Sequence, residues 1–108
     1  MCCVQKGAIV SQDKMLVIGA GPVGLGMARA LSDEGIPYDQ VDAHNGLGGN
    51  WRHGVFKTTH IVSSKRSTAF AGFPMPEHYP DFPSASEILK YLASYAEAHG
   101  LAGRIELS

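Results

Sequence analysis

An α/β fold built on a parallel sheet is predicted by three features of the sequence. The run Met15-Leu16-Val17-Ile18 is apolar at every position. A glycine-rich turn and a helical pattern follow it, and a second strand-like segment closes on Asp42. A strand buried on one face alternates between apolar and polar residues, so continuous apolarity predicts burial on both faces, as in a parallel sheet flanked by helices.

After the first strand comes Gly19-Ala20-Gly21-Pro22-Val23-Gly24, and then a helix through about Glu34. Val23, Met27, Ala30 and Leu31 fall at helical spacing and are expected on its apolar face, with Arg29, Asp33 and Glu34 toward water. Pro22 suits the first turn, where its missing N–H costs nothing. Gly35 suits a left-handed stop, and Pro37 forbids continuation. Tyr38 to Asp42 reads as the second strand. Asn45-Gly46 and Gly48-Gly49 mark residues 43–50 as a turn-rich loop. A short strand is expected over Thr58 to Val62, while Pro74, Pro76, Pro80 and Pro83 rule out regular structure around them. Ser84 and Glu87 make a capping box for a last helix. Its apolar stripe is Ile88, Leu89, Leu92, Tyr95 and Ala96, and Gly100 ends it. Arg104 to Leu107 resembles the start of another strand.

Strand, glycine turn, helix, strand and acid compose a βαβ unit of the Rossmann type, with the G-x-G-x-x-G fingerprint at 19–24. Gly19 permits the tight turn out of the strand. Gly21 lets a pyrophosphate approach the backbone, and Gly24 lets the helix lie close to the strand. The helix N-terminus offers unpaired N–H groups to the phosphates. Asp42 follows Gly21 by 21 residues, the spacing of an acid that accepts hydrogen bonds from ribose hydroxyls and repels a 2′-phosphate. The site therefore suits FAD or NAD and not NADP, and the spacing does not choose between the first two. The bland alternative is a glycine-rich turn with an unrelated surface aspartate.

From Leu16 to Leu101 the sequence resembles the N-terminal part of flavin-containing monooxygenases. The resemblance rests on G-A-G-P-V-G at 19–24, on Asp42 where that family usually has Glu, and on Gly48-Gly49-Asn50-Trp51 at the preserved distance from it. Ser63-Ser64-Lys65, Phe70-Ala71-Gly72-Phe73-Pro74, Tyr79-Pro80-Asp81-Phe82-Pro83 and Tyr91-Leu92 to Tyr95-Ala96 continue the match in order. It implies an incomplete FAD/NAD(P)-binding Rossmann fold, with 1–13 a loose tail and 14–108 the N-terminal part of an FAD-binding domain. The whole enzyme is expected to be longer. The resemblance further implies FAD held by Gly19, Ala20, Gly21, Pro22, Val23, Gly24 and Asp42, with Gly49, Asn50 and Trp51 along the cofactor. NADPH is expected to bind a second Rossmann unit, and this chain has no second fingerprint. Reduced flavin of such enzymes forms a C4a-hydroperoxide that oxygenates a soft nitrogen or sulfur nucleophile. The sequence departs from the pattern at Val62, where the best-known members carry Asn near the flavin ring. Valine cannot donate a hydrogen bond, and His60 and Ser63 are the neighbouring candidates for the missing donor.

The 108 residues suffice for one small domain, and the net charge of −1 gives no reason to expect a nucleic-acid or anionic-membrane partner. The only cysteines, Cys2 and Cys3, form no redox or zinc spacing; lipidation is one reading of them, and an untethered tail in a cytoplasmic protein is the expected one. No apolar run is long enough to span a bilayer. None of His44, His53, His60, His78 and His99 stands at zinc-ligand spacing, so no metal is expected. Lys57, Lys65 and Arg66 read as a solvated basic cluster or as help for a phosphate. Pro80 to Pro83 matches P-x-x-P, but Phe73, Tyr79 and Phe82 are expected to pack onto the body of the domain. A small-molecule substrate is expected. The remainder of the enzyme or self-association would cover what the chain leaves open. The rival readings are a disulfide-reductase-like flavoenzyme, for which the C-x-x-x-x-C pair is missing, and a truncated product that binds nothing or only a partner chain.

Overall fold

The computed structural model describes residues 14–108; the expected N-terminal tail, 1–13, lies outside the described residues. Three parallel strands, β1 (Met15–Ile18), β2 (Tyr38–Val41) and β3 (Ile105–Glu106), make one sheet in the order β1-β2-β3. The helices are α1 (Pro22–Asp33), α2 (Asn50–His53), α3 (Lys65–Thr68) and α4 (Ala85–Ala98). Consecutive parallel strands stepping outward from the first are one half of a doubly wound Rossmann sheet, so the predicted fold class holds.

The register pairs Met15 with Tyr38 and Val17 with Gln40, which places these four on one face. Val17, Tyr38 and Gln40 are buried there beneath α1 and α4. The other face carries Leu16 and Ile18, and these are 61% and 79% exposed. The expected burial of β1 on both faces is therefore not met: the described helices cover one face, and no described element lies on the second.

α1 begins with Pro22 and stops before Gly35, whose φ of 70° is the left-handed stop expected of it. Its buried stripe is Leu25, Ala28 and Leu31. Of the residues expected to face inward, Leu31 does so, while Val23, Met27 and Ala30 are exposed. The cause is the roll of the helix about its axis. A β-carbon on Gly24 would run into the Gly19 carbonyl oxygen. The Gly24 side of α1 is thereby held against the strand, and Ala28 and Leu31, four and seven residues on, turn inward with it.

The strand expected over Thr58 to Val62 reduces to a single antiparallel bridge between His60 and Ser84. Ile61 N–H donates to Pro83 O at 3.0 Å and Ala85 N–H to Thr59 O at 2.9 Å. Pairing stops there, since Pro83 has no N–H and the chain turns into α4 at Ala85. The capping box forms as expected: Ser84 N–H donates to Glu87 Oε1 at 2.8 Å, and Glu87 N–H to Ser84 Oγ at 3.3 Å. The buried stripe of α4 includes Ile88, Tyr91, Leu92, Tyr95 and Ala96. Leu89, expected within it, is half-buried and leans on Gly48. Tyr79 is buried and Phe73 packs against the core, whereas Phe82 is about half exposed.

Candidate dinucleotide-binding site

The end of β1 opens into the glycine turn, which hydrogen bonds pin from three sides. Gly19 N–H donates to Val41 O at 2.8 Å, and the amide of Gln40 donates to Gly19 O at 2.9 Å. Gly48 N–H donates to Ala20 O at 2.9 Å, which folds the 43–50 loop back onto the turn. Gln40 is a polar side chain in the core, only 1% exposed. Its strand context carries no signal for this role, apart from its place two residues before Asp42.

Gly21 and Gly49 meet where loop and turn touch. Gly49 has φ of 57°, and a β-carbon on it would lie 3.0 Å from the Gly21 Cα. A β-carbon on Gly21 would make an ordinary 3.5 Å contact with the Gly49 Cα. The approach of this second loop thus depends on the bareness of Gly49, and that of Gly21 is left to serve a ligand.

Asp42 stands at the end of β2. Its Oδ2 accepts from Ala20 N–H at 2.7 Å, and its Oδ1 accepts from His44 N–H at 2.8 Å. The His44 N–H holds the carboxyl below its ordinary value of 3.8; desolvation opposes this, and the Ala20 N–H and the His44 ring add to it. Oδ2 has a second lone pair and keeps capacity for a ribose hydroxyl, whereas Oδ1 also faces the His44 ring. His44 Nδ1 lies 3.2 Å from Asp42 Oδ1, and its ring stacks on that of His53, centroids 3.9 Å apart.

These groups enclose a cleft of about 500 Å³ lined by Gly19, Ala20, Gly21, Asp42, Gly49 and Asn50, together with Ile18, Ala43, His44, His53 and Gly54. Six of the residues expected to hold a dinucleotide therefore converge, drawn from the glycine turn, the strand end and the loop. Pro22, Val23, Gly24 and Trp51 do not line the cleft. Gly24 acts by packing, the Val23 side chain is 84% exposed, and Trp51 is half-buried against the core. The histidine stack escaped the sequence because it depends on how two loops meet; the only available signal was the position of His44 beside the acid. The lining contains no lysine or arginine, so an anion here meets the N-terminal end of α1, with its free N–H groups and partial positive charge.

The segment of Val62 lies outside that lining. Ile61 is buried and Val62 is 96% exposed, as alternation along an extended segment requires. His60 Nδ1 is 2.9 Å from Thr58 O, and Ser63 Oγ is 2.5 Å from Thr68 Oγ1. In the basic cluster, Lys65 Nζ donates to Glu77 O at 2.9 Å and Tyr79 O at 2.7 Å. Lys65 thus clamps the proline-rich loop through two carbonyls. Among the described residues no group of three His, Cys, Asp or Glu side chains is placed to hold a metal, and no helix is long and apolar enough to cross a membrane.

Residues 12–108 match the family model described as flavin-binding monooxygenase-like. Indole-3-pyruvate monooxygenase YUCCA1 of Oryza sativa subsp. japonica is 34% identical over 89 residues, covering 82% of this chain and 22% of the relative. The solved flavin-containing monooxygenase from Stenotrophomonas maltophilia superposes with a TM-score of 0.72 at 31% identity, over 86% of this chain and 28% of that one. The structure of OTEMO in complex with FAD and NADP superposes with a TM-score of 0.74 at 22% identity, over 90% of this chain and 19% of that one, a likeness of fold. The chain spans about a fifth of the length of the curated relative it matches.

Proposed function

The chain belongs to the flavin-binding monooxygenase-like family, and from that premise we propose that residues 14–108 are the N-terminal part of the FAD-binding Rossmann domain of an NADPH-dependent flavin monooxygenase acting on soft nitrogen or sulfur nucleophiles. The observation that carries this reading is the convergence of Gly19, Ala20, Gly21, Asp42, Gly49 and Asn50 on one cleft at the start of α1.

The residues present fit an ADP-containing cofactor. A side chain on Gly49 would crowd Gly21 at the start of α1, so the cradle is kept bare. The free N–H groups of the first helical turn face a pyrophosphate, and Asp42 accepts from ribose hydroxyls while repelling a 2′-phosphate. Bound FAD supplies hydride acceptance and the activation of dioxygen. This chain's own part is to bind and orient it: the Gln40 and Gly48 hydrogen bonds hold the turn, and Ala20 and His44 hold the carboxylate. NADPH is assigned to a part of the enzyme outside the single fingerprint of this chain.

The test is the absorption spectrum of the complete protein that carries this segment. Flavin bands near roughly 375 and 450 nm are expected, and they are lost in Gly21→Val. A colourless protein that takes up no added FAD overturns the reading. Substrate class is then read from NADPH consumption with an amine, a sulfide and a 2-oxo acid, the last because the rice relative is named for indole-3-pyruvate.

A further inference from the structure

An apolar cavity of about 80 Å³ lies among α1, α2, α3 and α4. Its walls include Ile61, Met75, Ile88, Tyr91 and Leu92, all buried. Phe70 adds a ring, and Pro22, Trp51 and Thr68 are the more accessible lining residues. Two of these tie the cavity to the dinucleotide cleft, since Pro22 follows Gly21 and Trp51 follows Asn50, and both preceding residues line that cleft. Cleft and cavity therefore share the backbone at the starts of α1 and α2 as a common wall.

The two hydroxyl groups among the lining residues are already engaged. Tyr91 OH donates to Phe73 O at 2.6 Å and accepts from Phe70 N–H at 2.8 Å. Thr68 Oγ1 is bonded to Ser63 Oγ at 2.5 Å. A buried water needs two to four polar partners, whereas apolar cavities stay dry and take xenon or small apolar molecules. The volume exceeds the roughly 30 Å³ share of one water, so it is the apolar lining, not lack of space, that disfavours water here.

We propose that this cavity binds dioxygen and holds it next to the dinucleotide cleft. The proposal rests on the monooxygenase reading for the identity of the gas: a monooxygenase consumes dioxygen, a small apolar molecule that matches both the volume and the lining. The cavity itself stands on the packing alone.

Xenon is the probe. Crystals of the complete FAD-loaded protein under xenon pressure are expected to show one xenon in contact with Ile61, Met75 and Leu92. Leu92→Phe should expel it and slow the reoxidation of reduced flavin by dioxygen several-fold while leaving FAD affinity unchanged. Thr68→Phe, at an exposed position that does not threaten the core, should do the same by blocking access. Ordered water at the site, a side chain from elsewhere in the protein filling it, or an unchanged reoxidation rate in a variant that has lost xenon overturns the proposal. A protein that holds no flavin sinks the monooxygenase reading instead, and xenon in the colourless protein still reports on the cavity.

Discussion

Gly24 and Gly21 lie three residues apart, yet a methyl group meets different surroundings at each. At Gly24 it would strike the Gly19 carbonyl, whose carbon is 2.9 Å from the β-carbon position. At Gly21 the nearest atom is 3.5 Å away. Gly24→Ala is therefore expected to push α1 off the strand and destabilise the protein by about 1–3 kcal/mol, with loss of flavin. Gly21→Ala should leave the melting temperature nearly unchanged. Melting curves and flavin content of the two variants check this, and equal destabilisation would refute it. Asp42 gives a pH prediction. Its folded pKa is lowered, so its contribution is complete above the ordinary value of 3.8 and is lost as pH falls through the lower folded value. Glu87 is shifted the same way by the Ser84 N–H, so the difference between wild type and Asp42→Asn isolates Asp42. That difference in melting temperature should be constant above pH 3.8 and shrink below it. At neutral pH, Asp42→Ala should weaken FAD binding by about 1.5–3 kcal/mol, the range for hydrogen bonds to charged groups. At Val62 the expectation is a leaky enzyme, with part of the oxygen released as hydrogen peroxide. Val62→Asn should raise product formed per NADPH consumed. His60→Ala should not change it, because a neutral His60 that donates Nδ1–H to Thr58 O keeps no second donor. Tight coupling in wild type and all variants would remove this segment from the flavin's surroundings.

The short elements depend on side chains that hold backbone. Ser84 caps α4 through Glu87, and Lys65 ties α3 to the proline-rich loop through two carbonyls. Ser84→Ala should cost about 1 kcal/mol, as an N-cap loss does. Lys65→Met should cost a similar amount, about 1–2 kcal/mol, through a different channel. Hydrogen exchange should quicken in the first turn of α4 for Ser84→Ala and around 76–81 for Lys65→Met. Exchange spread evenly over the chain in either variant would contradict the assignment. The capping box was legible because its two partners lie three residues apart. The partners of Lys65 lie 12 and 14 residues away, across prolines that carry no periodic signal.

Among the described residues apolar surface lies open at several places, including Leu16 and Ile18 on the uncovered sheet face, Val23 and Met27 on the outer side of α1, and Phe56 and Val62. Exposed strand edges and apolar patches favour association. The isolated 108-residue chain is accordingly expected to self-associate, melt with low cooperativity and bind FAD weakly. Sedimentation and thermal melting decide this, and a monomeric, yellow, cooperatively melting preparation would contradict it.

Local pattern was enough for the βαβ unit, the glycine turn, the acid at the end of the second strand and the capped last helix. The turn and the cap rest on backbone conformations and hydrogen bonds between near neighbours, and the acid on a fixed count of 21 residues from Gly21 across one helix. The buried stripe of α1 needed packing to define it, since periodicity offers two apolar stripes and the contact of Gly24 with Gly19 selects one. The same holds for the fold of the 43–54 loop onto the turn, the His44–His53 stack, the partners of Lys65 and the cavity behind Ile61. These arise where elements distant in sequence meet, and their geometry follows from how whole surfaces pack against one another.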